Sequence, residues 1–289
     1  MNRAALNLVL LVVVLGLAAA AWFANQKKNA PKEKLTALSA AAVSTAEIAW
    51  PGAPLIKLVK TGSNWQLTAP VAAQVDPFEV LAVTNLASTE VQEVLTPEGL
   101  NLKDIGLAPA DHSITLNATK IDFGSIEPLN ARRYVRVGSK VMLVDDPPSA
   151  ALDRDYNDLV AKELFAPGEE IVSVSLPGGM HFSKAADGEW TSEPANAEAS
   201  PAAIKTLVEG WKNAKSLYNE TAATPVSGDA VVLTLKDGST RQFIVAATDP
   251  QLSLYSPALQ LRYVLSKALV DMLLKLPVAT SKSAAEAPK

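Results

Sequence analysis

The chain of 289 residues has a formal net charge of −4 at pH 7, and 48% of its residues are hydrophobic. This length can bury two sizeable cores but hardly three. The absence of cysteine excludes disulfide bonds, thiolate catalysis and cysteine-based metal sites. Beyond residue 34 the chain has 21 basic and 29 acidic residues, a net charge of −8, which argues against nucleic acid or an anionic lipid surface as a partner.

An apolar segment lies at the N-terminus. Residues 4–24 are apolar apart from Asn7, and as a helix they would measure about 31 Å, enough to cross the hydrocarbon core of a bilayer. Trp22 and Phe23 close the segment where an aromatic belt lies. Small residues near its end could form the cleavage site of a signal peptide, but the apolar run exceeds the usual ~7–15 residues. We therefore predict an uncleaved transmembrane signal anchor over residues 1–25.

The charges alone leave the orientation of this anchor open. The N-terminal flank carries Arg3 and the α-amine, whereas residues 26–42, the predicted juxtamembrane linker, contain four lysines. The positive-inside rule would keep the large domain in the cytoplasm. Against this, the short lead before Arg3 is typical of a signal anchor, and large domains translocate largely regardless of charge. We expect a single-pass protein of a bacterial inner membrane, with the bulk of the chain in the periplasm.

The body of the chain contains an internal repeat, a feature that has to be sought early because it decides the fold. Four landmarks occur twice, in the same order and at offsets of 124 to 129 residues. They are Ile48–Gly52 with Val174–Gly178, Trp65 with Trp190, Asp76-Pro77 with Ser200-Pro201, and Arg133-Tyr134-Val135 with Arg262-Tyr263-Val264. We predict a first repeat over residues 43–152 and a second over residues 153–277.

Each repeat contains one capped helix that follows the tryptophan. Asp76 and Ser200 are typical N-cap residues, and the proline after each favours the first helical position. Apolar residues then recur at spacings of three and four. They are Val80, Val83, Ala87, Val91 and Val94 in the first repeat, and Ile204, Leu207, Trp211, Ala214 and Tyr218 in the second. We therefore predict a helix from Pro77 to Leu95 and an equivalent helix that starts at Pro201.

Short β-strands fill most of the remaining chain. Turn signals separate them, and the strongest is Asp237-Gly238. Residues 149–165 are predicted to be mostly helical, residues 267–276 to form a closing helix, and residues 278–289 to be a disordered tail. Strands grouped around one helix per repeat favour an α+β fold over alternating parallel units. The predicted architecture is a transmembrane helix followed by two tandem, duplicated α+β domains with antiparallel sheets.

No arrangement of residues in the sequence identifies a reaction. His112 and His181 fall at different points of the two repeats and lack the spacing of a zinc site. Asp145-Asp146 could offer oxygen atoms to calcium, but no EF-hand pattern follows them. Nucleophile elbows, phosphate-binding loops and dinucleotide fingerprints do not occur. We expect no catalytic residue, cofactor or metal, and a protein that is not an enzyme.

Six residues are candidates for contact with a partner or ligand. They are Trp65, Trp190, Arg133, Tyr134, Arg262 and Tyr263. For the two tryptophans the competing interpretation is a buried indole packed on the helix, since large aromatic side chains dominate core energetics. For the two Arg-Tyr pairs it is a shared strand geometry without any partner.

Several short motifs resemble the domain-of-unknown-function family 4340. The matching residues in the first repeat are Trp65, Leu67 and Pro70, Asp104-Ile105-Gly106-Leu107 with Pro109, Phe123-Gly124, and Arg133-Tyr134-Val135. Ile105 replaces the usual aromatic residue, and the second repeat lacks the Gly-Leu loop. The resemblance extends over roughly residues 43–277. It implies a membrane-anchored, extracytoplasmic accessory domain associated with ABC-type transporters of the gliding-motility auxiliary kind, and it carries over no catalytic residues.

Two functions follow as hypotheses. In the first, the protein is a non-enzymatic, membrane-anchored periplasmic accessory protein that acts through protein-protein contacts with an ABC-type transport complex. In the second, it is a periplasmic module that binds a small ligand or an envelope glycan between the two repeats. The second hypothesis expects Trp65, Trp190 and Trp211 to be half exposed.

Overall fold

The computed structural model describes residues 11–22, 32–96, 98–147, 149–222 and 226–277. Residues 11–22 form helix α1, whose side chains are all exposed. Within the described ranges, no helix is both long enough and apolar enough to cross a membrane. The rest of the predicted anchor, the start of the predicted linker and the predicted tail lie outside the described residues.

The first unit is built around a nine-stranded antiparallel sheet. Its strands are β1 (Thr45–Ala49), β2 (Ile56–Thr61), β3 (Asn64–Ala69), β4 (Ala73–Gln74), β5 (Val91–Leu95), β6 (His112–Leu116), β7 (Thr119–Ile126), β8 (Arg132–Val137) and β9 (Lys140–Asp145). Their spatial order is β4-β3-β2-β1-β6-β7-β8-β9-β5. A 3-10 turn (Ala40–Ala42) precedes β1, and helix α2 (Pro77–Asn85) with a further 3-10 turn (Leu86–Ser88) connects β4 to β5.

The second unit follows two short connecting helices, α3 (Ser149–Leu152) and α4 (Tyr156–Leu159), and has an eight-stranded antiparallel sheet. Its strands are β10 (Ile171–Ser175), β11 (His181–Lys184), β12 (Trp190–Glu193), β13 (Tyr218–Thr221), β14 (Asp229–Leu235), β15 (Thr240–Ala247), β16 (Leu252–Ser256) and β17 (Leu261–Leu265). Helix α5 (Pro201–Lys212) lies between β12 and β13 in the chain, and α6 (Leu269–Leu274) follows β17.

The two sheets have the same strand order. Apart from the two-residue β4, the first reads β3-β2-β1-β6-β7-β8-β9-β5 and the second reads β12-β11-β10-β14-β15-β16-β17-β13. Helices α2 and α5 also occur at the same point in this order. The prediction of an α+β fold with antiparallel sheets is therefore confirmed, and the shared topology is consistent with an internal repeat.

Both main helices begin where their caps predict. The backbone N–H of Phe78 donates to Oδ1 of Asp76 at 2.9 Å, and the N–H of Ala203 donates to Oγ of Ser200 at 3.2 Å. Each bond gives an acceptor to a backbone N–H of the first helical turn, which has no partner within the helix. The predicted N-caps are thus correct in both units.

The predicted lengths of the two helices are wrong. Helix α2 ends at Asn85 and α5 at Lys212, so Val91 and Val94 lie in β5 and Tyr218 lies in β13. These strands complete the sheets by pairing with β9 and β17. Short apolar runs fit either a helix or a strand by periodicity, and here the free edge of each sheet supplies the backbone partners that decide the outcome.

The connecting segment is also less helical than predicted. Asp155 has an extended backbone (φ −79°, ψ 160°) and caps α4, so it separates two helices of four residues each. Val160 is extended again and ends α4. The helix predicted over residues 267–276 is present in a shorter form, α6.

The connecting segment joins the two units through backbone and buried polar contacts. Val75 and Val160 form an antiparallel bridge, and the N–H of Asp76 donates to the carbonyl oxygen of Leu159 at 2.9 Å. The side chain of Asn157 donates to the carbonyl oxygen of Asn219 at 3.0 Å, in a buried setting. The buried apolar residues of both units also form one continuous cluster. The two sheets therefore pack against a shared connector.

Candidate functional site

Helix α2 is apolar on its outer face as well as on its inner face. Val80 and Val83 are buried in the core, whereas the side chains of Phe78 and Leu81 are 81% and 50% exposed. A helix on the surface of a globular protein normally turns polar residues outwards. Phe78 and Leu81 are three positions apart and therefore neighbours on the helix surface. We call these two residues the α2 surface.

The equivalent helix of the second unit has no such surface. When the two helices are aligned on their first-turn prolines, Ala202 and Lys205 take the places of Phe78 and Leu81. The exposed residues of α5 are Pro201, Ala202, Lys205, Thr206, Glu209 and Lys212. The outward apolar pair is therefore specific to the first unit.

A pocket of about 410 Å³ lies on the first sheet, beside the turn that follows β1. We call it the Trp50 pocket. Its walls include Trp50, Pro51, Leu107, Pro109, Lys120 and Arg136. The turn after β1, the loop before β6 and the strands β6, β7 and β8 thus contribute to it.

Asp122 lies beside the Trp50 pocket, with a side chain that is only 7% exposed. Its carboxylate accepts hydrogen bonds from Oγ of Ser113 at 2.6 Å and from Nη2 of Arg136 at 2.7 Å, and Nζ of Lys120 lies at 2.8 Å. Burial raises the pKa of Asp122, but the bonds from Lys120, Ser113 and Arg136 together outweigh it, so the pKa lies below its usual value. Asp122 is therefore a carboxylate at neutral pH, and it positions both cations.

The loop wall of the Trp50 pocket depends on two glycines. Gly106 has a φ of 69°, a conformation that residues with a side chain rarely adopt. At Gly124 an added Cβ would lie 2.2 Å from the carbonyl oxygen of Ile105, which accepts a bond from the N–H of Ser125 at 3.0 Å. The loop thus lies directly on β7. Both glycines belong to the motifs that resemble the family.

Arg133, a candidate contact residue, supports the same strand. Its Nη1 donates to the carbonyl oxygen of Gly124 at 2.8 Å, and its Nε pairs with Oδ1 of Asp146. The partner carbonyl lies at an irregularity in the pairing of β7 with β8. Arg133 therefore has a structural partner. Tyr134, next to it, is half-buried.

The recurrence of Arg-Tyr-Val is not a landmark of the repeat. Residues 133–135 lie on β8, whereas residues 262–264 lie on β17, which corresponds to β9 in the shared strand order. The other three landmarks do lie at equivalent positions: at the C-terminal ends of β1 and β10, in β3 and β12, and at the N-termini of α2 and α5. The match of this fourth pair is thus a coincidence of common strand residues.

Tyr263 and Arg262 also lie in packed surroundings. Tyr263 is buried and meets the ring of Phe243 edge-on, with centroids 6.0 Å apart. Burial raises the pKa of Tyr263 to about 12. Arg262 is half-buried, and its Nε is one of two buried side-chain nitrogen atoms without a hydrogen-bond partner in the described part of the chain. The other is Nδ1 of His112.

The tryptophans do not line a cleft between the units. Trp211 is fully buried, stacks on Phe243 and donates from Nε1 to the carbonyl oxygen of Leu273 at 2.8 Å. Trp190 is 8% exposed, and only Trp65 of the three is half-buried. The expectation of three half-exposed indoles is wrong for two of them, because these indoles fill the core beside α5.

The gap between the units is small. It is lined by residues of both units, among them Gln74, Val160, Arg241 and Tyr263, and measures about 50 Å³. Ligand sites usually measure about 300–1,000 Å³. This gap is therefore too small for a glycan.

Trp50 was not singled out from the sequence, although one signal was present. It lies within the repeated landmark Ile48–Gly52, where the second copy has Leu176. Its ring lies 5.9 Å from that of His112, whose Nε2 is 3.3 Å from Oδ1 of Asp153. The two copies thus have an aromatic and an aliphatic residue at this position. Such a difference indicates that the side chain has different neighbours in the two units.

The described residues contain no group of three histidine, aspartate or glutamate side chains that could hold a metal ion. The protein is thus an α+β protein whose two units share one topology. Their outer surfaces differ, since the α2 surface and the Trp50 pocket belong to the first unit. The profile of the family described as Domain of unknown function (DUF4340) matches residues 65–227, more than half of the chain. The chain belongs to this family. No curated protein and no solved structure matches it.

Proposed function

We propose that the protein is a non-enzymatic, membrane-anchored accessory protein of the bacterial periplasm, which acts through protein contacts with an ABC-type transport complex. The α2 surface carries this proposal, because it places two large apolar side chains in solvent on a helix whose counterpart is polar outside. The apolar residues 4–24 support the anchor. The choice of partner rests on the association with gliding-motility-type transporters that the resemblance to family 4340 implies.

The energetics favour a protein contact at Phe78 and Leu81. Isolated exposed apolar residues are common on soluble proteins, but these two are adjacent and form one strip. Burial of a Phe or Leu side chain contributes about 1.5–3 kcal/mol each. Aromatic residues are enriched at the cores of protein interfaces. Two such anchors can therefore dominate the affinity for a partner subunit.

The proposal includes an origin for the two units. We propose that two tandem α+β domains arose by duplication, and that the first unit has kept or gained the partner contact while the second supports it. The shared strand order and the different residues on α2 and α5 are the support for this division.

The test is affinity purification of the full-length protein from its own gently solubilised membranes, followed by mass spectrometry. The test variant is the double substitution Phe78→Ala with Leu81→Lys, which copies the residues of α5. Both positions are exposed, so stability should change by no more than about 0.5 kcal/mol. The matched control is Lys205→Ala on α5, which is also exposed.

We expect the wild type and the Lys205→Ala control to recover a transporter subunit in stoichiometric amount, and the double variant to lose at least about tenfold of it, as loss of anchor residues does. Equal recovery with the double variant would contradict a contact at α2. Recovery of the wild type alone, without a reproducible partner, would reject the accessory function itself.

A further inference from the structure

We propose that the Trp50 pocket binds a small organic anion, with its carboxylate or phosphate group between Lys120 and Arg136 and its apolar part against Trp50 and Pro109. This site is separate from the α2 surface. The pocket volume of about 410 Å³ falls within the usual range of about 300–1,000 Å³ for small-molecule sites. It fits a ligand with one ring or a short apolar chain.

The charges at the pocket favour an anion. Lys120 and Arg136 are among its lining residues, and none of the described residues that line it is acidic. The carboxylates next to the pocket are Asp122, which is buried, Asp111, which follows the lining residue Ala110, and Asp153, which lies 3.3 Å from His112. Asp122 accepts from Nε and Nη2 of Arg136, and Nη1 has no hydrogen-bond partner among the described residues. The Lys120 side chain is 59% exposed and uses one of three donors on Asp122. Free donors therefore remain on both cations.

The walls of the pocket are set before any ligand binds. Arg136 is held by two bonds to Asp122, and Asp122 is held by Ser113 on the neighbouring strand. The loop wall lies against β7 at Gly124, where even a methyl group would not fit. Preformed donors and walls lose little conformational freedom on binding, which raises affinity.

The second unit lacks the long loop, the tryptophan and the acidic residue of this pocket, and it serves as an internal comparison. The loop between β5 and β6 spans residues 96–111, whereas its counterpart between β13 and β14 spans only residues 222–228. Leu176 replaces Trp50, and β15 contains no acidic residue. The pocket is therefore a property of the first unit and not a consequence of the shared topology.

The test uses the full-length protein in detergent micelles, with ¹⁵N-labelled tryptophan. The chain has five tryptophans, so the spectrum is simple, and Trp50→Phe assigns the signal of interest. The probes are benzoate, phenyl phosphate, inorganic phosphate and benzyl alcohol. Benzoate and phenyl phosphate distinguish a carboxylate site from a phosphate site. The other two probes lack either the apolar part or the charge.

We expect benzoate or phenyl phosphate to shift the Trp50 indole signal saturably, at least about tenfold more tightly than benzyl alcohol or inorganic phosphate and less tightly as salt rises. Lys120→Gln should weaken this binding at least about fivefold. Because Lys120 is largely exposed, this variant should fold, and unchanged signals of the other indoles check that. Lys140→Gln, an exposed lysine on the β8-β9 hairpin, is the control and should bind as the wild type does.

Three results would overturn the proposal. The first is no shift of the Trp50 signal with either aromatic anion. The second is binding of benzyl alcohol or inorganic phosphate as tight as that of the aromatic anions. The third is unchanged affinity in Lys120→Gln, which would place the anion elsewhere.

Discussion

The two units share a strand order but place their large aromatic residues differently. In the second unit Trp211, Phe243 and Tyr263 pack on one another in the core. In the first unit Phe78 is exposed and Trp50 lines a pocket. The second unit also has aromatic residues outside its core, since Tyr218 is 44% exposed and Trp190 lines a pocket. The difference between the units therefore lies in the exposed Phe78 and in the residues around Trp50.

This difference separates the residues that maintain the topology from those that distinguish the units. The N-caps at Asp76 and Ser200 and the core of each sheet are common to both. The long loop before β6, the Asp122 carboxylate and the α2 surface occur only in the first. We therefore expect substitutions in the common elements to change stability, and substitutions in the others to change binding.

A large effect is expected from Gly124→Ala. The added methyl group would meet the backbone of the loop at Ile105, so the loop wall has to move. We expect a loss of about 3 kcal/mol in unfolding free energy, typical of overpacking against backbone. Thermal unfolding of the full chain measures it. Gly210→Ala on α5 is the control, because the nearest atom to its methyl group belongs to the flexible side chain of Met272 at 3.0 Å, and the nearest backbone atom lies at 3.4 Å. A similar loss in this variant would contradict the role of the loop backbone.

The equivalent tryptophans should differ in the same experiment. Trp190 is buried and Trp65 is only half-buried. We expect Trp190→Ala to cost about 3 kcal/mol, as large-to-small changes in a core do, and Trp65→Ala to cost clearly less. Chemical denaturation of the two variants provides the comparison. A greater loss for Trp65→Ala would mean that the first unit depends on its indole more than the burial indicates.

Alkaline pH should affect the two Arg-Tyr-Val strands unequally. Burial raises the pKa of Tyr263 to about 12 in the folded state, against about 10 when unfolded. The contribution of Tyr263 to the free energy of unfolding is therefore complete below pH 10. It is lost as the pH rises from about 10 to 12, which lowers this free energy by about 2 kcal/mol. Denaturation curves at pH 9 and pH 11.5 measure this loss. We expect Tyr263→Phe to lack the part of the loss that comes from Tyr263, and Tyr134→Phe to retain it. If the wild type and Tyr263→Phe lose the same free energy of unfolding between these pH values, the role of Tyr263 is refuted.

Acid should test the Asp122 carboxylate, with the smallest expected effect. Its folded pKa lies below the unfolded value of about 3.9, so its contribution is present above that value and is lost as the pH falls through the folded pKa. We expect Asp122→Asn to destabilise the protein by about 1 kcal/mol at pH 7, through weaker bonds to Arg136 and Lys120. The difference should decrease as the pH is lowered from 7 through the folded pKa. A constant difference across this range would assign the effect to packing.

Much of the fold could be predicted from local signals. Asp237-Gly238, the strongest turn signal in the sequence, does separate the paired strands β14 and β15. The N-caps are also local features. The helix ends were missed because residues 91–95 and 218–221 become strands only when a free sheet edge lies beside them.

The candidate site could be predicted far less well. Ser113, Asp122 and Arg136 lie on three strands, and only the pairing register brings them together. The six residues chosen from the sequence mostly pack or support strands, because aromatic and arginine side chains are as useful in a core as at an interface. Trp50 and Phe78 stand out only when the two units are compared position by position.

We propose that the first unit, and not the second, contacts the partner in the membrane. The most direct measurement places a photo-crosslinking amino acid at position 78 of α2, or at the equivalent position 202 of α5, in the full-length protein in its own membranes. Both positions are exposed, so both variants should fold. We expect position 78 to form an adduct with a transporter subunit and position 202 to form none. The same adduct from both positions, or one from position 202 alone, would contradict this proposal.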